Sequence, residues 1–266
     1  MQIIKNLPAS DYHKIEALSA SSAKLLLKSP AHYLANLANP REPTAAMRLG
    51  TLCHTLVFEP ENFKKEFAIM PKVDKRTKIG KEAAAQFEED NAGKIVLDEY
   101  QYEKARAISE SALSHPIVSE YMKGGDAEVT MLWEDYGLPC KARVDYVTSN
   151  VMFDLKTCQD ASPDGFARQI GGFQYHLQAA HYASGFEKIT GQQLEKFVFI
   201  AVESEPPYAS GAYVLDVMAL EAGRAFMARA AKAFKKAQTP ANVSAAYSND
   251  LVELSLPTWA MPQPFA

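Results

Sequence analysis

The sequence predicts an α/β protein in which helices flank a mixed central sheet and the N-terminal portion is mainly helical. Polar and apolar residues alternate through three successive stretches between residues 128 and 156, a pattern typical of neighbouring strands. Residues 196–202 are almost continuously apolar, as expected of a central strand buried on both faces. The order of elements, with helices before three strands and a further helix and strand after them, indicates an α/β core.

The composition is that of a large globular domain. The chain has 266 residues, of which 47% are hydrophobic, and its prolines and glycines form no repeat or low-complexity tract. We therefore expect a single domain over residues 1–266. Its mainly helical portion covers 1–125, and the αβ core with a C-terminal helix covers 126–266.

Charge and hydropathy narrow the class of protein. No signal-peptide pattern opens the chain, and no apolar run approaches the roughly 18 residues that cross a membrane, so a soluble cytoplasmic protein is expected. The net charge of −4 argues against a protein that coats DNA without specificity. It permits an enzyme with a local basic groove.

The cysteines indicate no disulfide framework or cysteine-bound metal. Cys53, Cys140 and Cys158 are odd in number and form no C-x-x-C pair, which disfavours a structural zinc site and an iron–sulfur cluster. We expect all three to be reduced and buried.

Helices are expected in the N-terminal portion at residues 23–27, 30–39 and 44–58. His54 lies on the inward face of the third helix, one turn after Gly50, which would allow another backbone to approach closely. A lone histidine on such a face is usually a satisfied core residue. Glu59 is a candidate second metal ligand beside it, although a surface charge at a helix end is the simpler interpretation.

The most basic segment of the chain is residues 71–81. Its cations stand against a single acid, Asp74, and they are Lys72, Lys75, Arg76, Lys78 and Lys81. A solvated loop and a segment that contacts phosphates explain this pattern equally well.

The remaining helices are expected at residues 81–91, 98–113, 116–121, 166–170, 175–189 and 218–237. The remaining strands are expected at 94–97, 128–134, 138–147, 153–156, 196–202 and 212–215. Asp98 and Gln101 have the spacing of a capping box at the start of the helix expected at 98–113. We expect Trp259, in the proline-rich tail, to pack on the body.

A hairpin at residues 141–157 holds the strongest chemical signal. If Ser149 and Asn150 form its two-residue turn, Asp145 lies directly opposite Asp154. Like charges at that distance repel, and a divalent cation between them would turn the repulsion into ligation. Lys156 shares the face of Asp154 and could reach a water or phosphate held there. The competing interpretation is a solvated sheet face on which Arg143 and Lys156 neutralise both acids.

The helix at 175–189 carries Gln178 and Tyr182 four residues apart on one face. Leu177, Ala180 and Ala183 could pack on the sheet. The polar face could equally be a solvated one.

Together these motifs resemble those of the PD-(D/E)xK nucleases. Asp154-Leu155-Lys156 matches the (D/E)xK element, Asp145 the preceding acid, and Gln178-x-x-x-Tyr182 the motif on the following helix. Gly50-x-x-x-His54 resembles the metal-site helix of the RecB-like branch. Val144 stands where the superfamily has the proline of "PD", so that half of the motif gives no support.

The chain most resembles the exonuclease VIII (RecE) family of phage recombination nucleases, over roughly residues 18–259. The matching stretches are L-G-T-L-C-H-T-L-V-F-E-P, K-R-T-K-I-G-K-E, F-D-L-K-T, Q-Y-H-L-Q-A-A-H-Y and L-S-L-P-T-W. The resemblance implies a restriction-endonuclease-like core and a 5′→3′ exonuclease that digests linear double-stranded DNA and leaves 3′ single-stranded tails. It further implies a ring of three or four subunits and a partner protein that anneals single strands.

The resemblance also implies roles for individual residues. The metal ligands are the side chains of His54, Asp145 and Asp154, with the Leu155 carbonyl as a fourth. The implied metal is Mg²⁺, as two ions, with Mn²⁺ as a substitute. Lys156 orients or deprotonates the attacking water. Gln178 and Tyr182 position the scissile phosphate or Lys156, and the basic segment contacts backbone phosphates, with Arg76 and Lys81 foremost.

Three rival functions remain at this stage. A RecB-like nuclease acting on single strands or internally would use the same residues. A catalytically silent DNA-binding or scaffold subunit would have no need of the intact Asp154-x-Lys156 pair. An acid–base glycosidase using Asp145 and Asp154 would need a raised carboxyl pKa, which the adjacent lysine opposes.

Overall fold

The computed structural model describes residues 1–74, 76–257, 260 and 261. The predictions for Lys75 and Trp259 lie outside these residues. Within the described part of the chain, no helix is both long and apolar enough to cross a bilayer.

The strands, in chain order, are β1 (Gln2–Ile4), β2 (Phe67–Ile69), β3 (Ile95–Leu97), β4 (Asp126–Asp135), β5 (Leu138–Val147), β6 (Val151–Cys158), β7 (Lys196–Glu203) and β8 (Ser210–Tyr213). The helices are α1 (Ala9–Lys14), α2 (Ala20–Leu26), α3 (Pro30–Ala38), α4 (Ala45–Phe58), α5 (Phe63–Glu66), α6 (Lys78–Asp90), α7 (Glu99–Ser114), α8 (Pro116–Tyr121), α9 (Pro163–Phe173), α10 (Tyr175–Thr190) and α11 (Val217–Ala237). Short 3₁₀ turns lie at Pro60–Asn62 and Pro240–Asn242.

The central sheet is mixed, as predicted. Its strand order is β1-β4-β5-β6-β7-β8, and β2 pairs with β3 in a separate two-stranded sheet. The meander of β4, β5 and β6 is antiparallel, whereas β6 and β7 run parallel because α9 and α10 connect them. The predicted α/β fold with helices on both faces of a mixed sheet is confirmed.

The sheet separates two apolar cores. One face packs against α2, α9, α10 and α11, and we call this the α10-side core. The other packs against α4, α7 and α8 and forms the α4-side core. On β6, Val151, Phe153 and Leu155 enter the α4-side core while Met152 enters the α10-side core, which confirms the predicted alternation of faces. The cysteines are free and buried, as expected.

The N-terminal segment, where the sequence analysis places no element before residue 23, contains β1, which pairs with the edge of β4, and α1, which precedes α2. Two local predictions are corrected by the structure. Helix α6 begins at Lys78 rather than Lys81, since the Thr77 hydroxyl accepts a hydrogen bond from the Gly80 N–H and caps it. At Gly50, an added Cβ would lie 3.7 Å from the Thr157 side chain, so the expected close approach of a backbone is wrong.

His181 is a buried histidine whose protonation opposes folding. It lies on α10 at 2% exposure, its ring packs on Trp133 with centroids 4.6 Å apart, and its Nε2 lies 3.1 Å from the Lys141 carbonyl. Burial lowers the pKa of His181 to about 4, although the Lys141 carbonyl and Asp135 partly oppose this. The folded protein therefore holds His181 neutral under conditions in which the unfolded chain would protonate it.

We expect His181→Gln to reduce the acid sensitivity of the fold. Above pH 6.5 the histidine is neutral in both states, and below it only the unfolded chain binds the proton, until pH 4 is approached. The free energy of unfolding should thus fall by about 3 kcal/mol between pH 6.5 and 4 on account of His181.

Urea denaturation at pH 7 and pH 4.5 measures this fall, which should be smaller in His181→Gln. The matched control is exposed His32→Gln, which should fall as far as wild type. An equal fall in His181→Gln and wild type would contradict the prediction.

Candidate active site

A cleft of about 800 Å³ opens where α4 crosses the boundary between β5 and β6. The charged residues in its wall come from the sheet, from α4 and from the segments beside α4, and they are His54, Glu59, Glu66, Glu128, Arg143, Asp145 and Lys156. Leu155, Phe173 and Tyr175 also line it. The cleft therefore brings together His54, Asp145 and Lys156, whereas Asp154, Gln178 and Tyr182 lie outside its lining.

The β5–β6 hairpin has the predicted register but separates at the acidic rung. Tyr146 pairs with Phe153 and Val147 with Met152, so Asp145 and Asp154 fall on the next rung. There the Leu155 N–H donates to the Asp145 carboxylate, at 3.1 Å, instead of to a strand carbonyl. The predicted rung is therefore confirmed, and Asp145 acts to raise the pKa of Asp154 as a repelling neighbour would. A side chain replaces the backbone partner and the two strands diverge.

This divergence lets each acid be reached from a different face of the sheet. His54 on α4 lies with its Nε2 3.4 Å from Asp145 Oδ1. On the opposite face, Gln178 on α10 donates a hydrogen bond of 2.5 Å to Asp154 Oδ1. The opening between β5 and β6 is therefore where the two layers of helices meet the same rung.

Glu128 belongs to the site although the sequence analysis did not identify it. It lies on β4 between the pairs Ala127–Tyr146 and Val129–Val144, which places it opposite Asp145. Its Oε1 is 3.0 Å from His54 Nε2, and its carboxylate also forms an ion pair with Arg143. Three neighbouring strands thus place three carboxylates on one rung.

The backbone of Glu128 is in the left-handed region, with φ 52°. The alternation of faces breaks there, because Ala127 packs against the α4-side core whereas Met131, four residues on, lies in the α10-side core. The same change of face occurs on β5 between Val144 and Tyr146. Non-glycine residues adopt this conformation at a cost of roughly 1–2 kcal/mol, and such residues are often found at functional sites.

The carboxylates control the charge of His54. Burial lowers the pKa of His54, but Asp145, Asp154 and Glu59 outweigh burial and the net pKa is raised. Burial likewise acts to raise the pKa of Asp145, yet His54, Lys156 and the Leu155 N–H lower it below its ordinary value. A cluster that stabilises a proton on His54 would stabilise a metal cation in the same place.

Asp154 is the most buried acid of the site and is paired with Lys156. Asp154 is 1% exposed, and its Oδ2 is in ion-pair contact with Lys156 Nζ without a hydrogen bond of normal geometry among the described residues. Burial raises the pKa of Asp154 to about 6, with Lys156 opposing and Asp145 adding to the rise. Burial lowers the pKa of Lys156, but Asp154 and Asp145 outweigh it, so its pKa is raised. Lys156 is therefore an ammonium ion at neutral pH.

Gln178 lies beside Asp154, whereas Tyr182 lies in the apolar core. Gln178 contacts Asp154, so it orients that carboxylate rather than Lys156. Tyr182 is buried beneath the site, packs on Phe197 with ring centroids 5.7 Å apart, and does not line the cleft. Burial raises the pKa of Tyr182 well above its ordinary value, while the Arg143 backbone opposes this.

The basic segment lies apart from the cleft. Its ion pairs are with nearby acids, and they are Lys72 with Glu99 at 2.6 Å, Arg76 with Asp74 at 3.0 Å and Lys78 with Glu82 at 3.8 Å. Lys81 is exposed on α6. None of the described members of the segment lines the cleft, so within one chain it does not join the hairpin residues.

The donor atoms fit a hard divalent cation. One atom each from His54, Glu59 and Glu128 lie within 4.8 Å of one another, and Asp145 is in contact with the same histidine. Carboxylate oxygens suit Mg²⁺ and Mn²⁺, and an imidazole is compatible with both. Asp154 Oδ2, in ion-pair contact with Lys156, is a further oxygen donor, although Asp154 does not line the cleft. Glu59, expected mainly as a surface charge, is thus part of the candidate metal set.

Comparisons with known proteins agree with this fold. The family model described as "PDDEXK-like domain of unknown function (DUF3799)" matches residues 19–246. The crystal structure of a protein from Eubacterium rectale described as "Putative exonuclease" aligns with a TM-score of 0.65 at 15% identity, over 96% of this chain and 97% of that chain. A second structure, of SSO0001, covers 78% of this chain and 85% of that chain at 15% identity, but its TM-score of 0.28 supports no argument. No curated protein matches the chain.

Proposed function

This chain belongs to the PDDEXK-like family of domains, within the PD-(D/E)xK nuclease superfamily, and we propose that it is a metal-dependent DNA exonuclease. One observation carries the proposal: Glu128, Asp145 and Asp154 lie on one rung of three strands, and His54 contacts Glu128 and Asp145. Lys156 adjoins this rung, in contact with Asp154. Folding alone gains little from three acids so close together.

The chemistry follows from where each group lies. Bound Mg²⁺, as one or two ions, would supply Lewis-acid stabilisation of the phosphate and of the attacking water. Its ligands would be His54, Glu59, Glu128, Asp145, Asp154 and the Leu155 carbonyl, and Mn²⁺ would substitute. The hydrogen bond from Leu155 N–H fixes Asp145, and that from Gln178 fixes Asp154.

Lys156 supplies the positive charge of the site. Because the neighbouring carboxylates raise its pKa, it acts as an ammonium that orients the attacking water and stabilises the charge that develops on the phosphate. Arg143 also lines the cleft, but it forms an ion pair with Glu128 and donates a hydrogen bond to the Leu7 carbonyl, so it holds Glu128 rather than substrate.

The finer activity that we propose is 5′→3′ digestion of linear double-stranded DNA, leaving 3′ single-stranded tails for strand annealing. The motifs shared with the exonuclease VIII family support it, in particular the F-D-L-K-T and Q-Y-H-L-Q-A-A-H-Y stretches. The description "Putative exonuclease" of the Eubacterium rectale protein is consistent with exonuclease activity.

End-labelled substrates test this activity against its rivals. With Mg²⁺, linear duplex should be digested from its 5′ ends, while covalently closed circles stay intact. Cutting of the circle would favour an internal nuclease, and preference for single strands would favour a RecB-like one. No Mg²⁺- or Mn²⁺-dependent cleavage of any substrate would favour a silent DNA-binding subunit and contradict the proposal.

We further propose a ring of three or four subunits that works with a single-strand annealing protein. With a net charge of −4 and a basic segment whose ion pairs are mostly local, one chain has little electrostatic hold on DNA. A closed ring would retain a threaded duplex by topology and bring the copies of the basic segment together around it. Light scattering that returns a monomer, with distributive digestion of long duplex, would contradict this.

A further inference from the structure

A second cleft adjoins the candidate active site. Its volume is about 260 Å³, and it is lined by Lys24, Leu27, Lys28, Gly172, Phe173 and Gln174. Phe173 also lines the larger cleft, so this one side chain forms the boundary between the two.

Phe173 is an exposed aromatic residue in the lining of both clefts. It ends α9 with 58% of its surface open to solvent. Its ring stacks on Tyr175, with centroids 5.7 Å apart and planes at 19°. Lys156 Nζ lies 4.8 Å from the ring centroid of Tyr175. A single aromatic ring thus separates the exposed face of Phe173 from the lysine of the active site.

Lys24 brings a second ammonium to the same tyrosine. Its Nζ lies 4.9 Å from the Tyr175 ring centroid, and no carboxylate of the described residues lies within ion-pair distance of it. Burial and the charge of Lys156 lower the pKa of Lys24 to about 8, and Asp154 opposes this only in part. Two ammonium groups beside one ring repel each other, and an anion in the second cleft would remove that repulsion.

We propose that the second cleft is a nucleotide subsite, in which Lys24 binds a phosphate of the bound strand and Phe173 stacks on the base. An exposed aromatic face beside an unpaired cation is the combination by which proteins hold single nucleotides. This inference rests on the proposed nuclease function and adds to it the place where the strand continues beyond the reacting phosphate.

The test pairs each side chain with one atom group of the DNA. Binding of fluorescent oligonucleotides is measured by anisotropy in EDTA, so that no cleavage occurs. Each position near the 5′ end is replaced in turn by an abasic residue or by an uncharged methylphosphonate. Strands with a 5′-phosphate or a 5′-hydroxyl are compared, because these arms show whether the phosphate on Lys24 is terminal or internal.

We expect one abasic position to weaken binding to wild type by about 5- to 100-fold. Phe173→Ala should bind intact DNA more weakly than wild type by a similar factor. On the strand that is abasic at that position, Phe173→Ala and wild type should bind almost equally. Phe173→Leu should give the same results as Phe173→Ala because it lacks the planar ring. One phosphate should likewise couple to Lys24→Met, with a loss of about tenfold. The matched controls are Tyr121→Ala and Lys232→Met, which line neither cleft and should couple to no position.

If the losses of binding free energy from the protein substitution and from the DNA modification add at every position, the proposed subsite is wrong. If wild type binds and cuts DNA but shows no coupling, the subsite is wrong while the proposed function stands. If wild type neither binds nor cuts DNA, the proposed function fails with it.

Discussion

Asp154→Asn should abolish DNA cleavage while leaving the protein folded. The carboxylate is 1% exposed, accepts a hydrogen bond from Gln178 and faces Lys156. An asparagine keeps the shape and the acceptor for Gln178 but removes the charge that we propose as a metal ligand. We expect a loss of at least about 1,000-fold in rate, equivalent to about 4 kcal/mol of transition-state stabilisation, measured on linear duplex with Mg²⁺.

The same substitution should not weaken the metal-free fold. The folded state raises the pKa of Asp154 to about 6, above its ordinary value of 3.8, so the ionised carboxylate opposes folding at neutral pH. Urea denaturation of Asp154→Asn at pH 7.5 in EDTA should therefore give an unfolding free energy equal to or above that of wild type. The control is Asp135→Asn, an acid paired with Lys188 outside the cleft, which should retain cleavage. Near wild-type cleavage by folded Asp154→Asn would contradict the assigned site.

Lys156→Met should also remove cleavage, but it should preserve the response to metal. Methionine fills a similar volume without charge, so the water and the phosphate lose their ammonium partner. We expect a rate loss of about 1,000-fold. Because the ligand set around His54, Glu59 and Glu128 is intact, Mg²⁺ or Mn²⁺ should still raise the melting temperature.

Lys156→Met should further weaken the metal-free protein, since it leaves Asp154 buried without its counter-ion. The matched control is Lys188→Met, which removes the ion pair between Lys188 Nζ on α10 and Asp135 Oδ1 on β4, 3.5 Å apart. This variant should leave cleavage unchanged. Cleavage by Lys156→Met within tenfold of wild type would show that the ammonium is not required. Loss of the metal-induced shift would mean that Lys156 acts through the ligands.

Much of the site could be predicted because it depends on local spacing. The turn at Ser149 and Asn150 sets the rung shared by Asp145 and Asp154. Glu128 could have been found in the same way, since a two-residue turn at Tyr136 and Gly137 pairs residue 135 with 138 and hence 128 with 145. The position of Gln178 beside Asp154 depends on how α10 crosses the sheet, which spacing alone does not define.

Other features depend on contacts between distant parts of the chain. The three residues of β1 have no local strand signal and are ordered by pairing with β4, more than 120 residues away. The divergence of β5 from β6 arises because a carboxylate replaces a backbone acceptor at Leu155, and residue patterns do not distinguish this from a continuous ladder. The second cleft requires α2 and the end of α9 to meet at Tyr175.

The left-handed backbone at Glu128 has a consequence for attempts to stabilise this protein. Glycine or asparagine would adopt φ 52° more readily than glutamate, so a selection that measures only resistance to heat should favour them at this position. Either change would remove the carboxylate that contacts His54 and Arg143. Variants altered at residue 128 and selected by heat would therefore have a higher melting temperature but an impaired candidate metal site. A library for thermostability should hold this position constant.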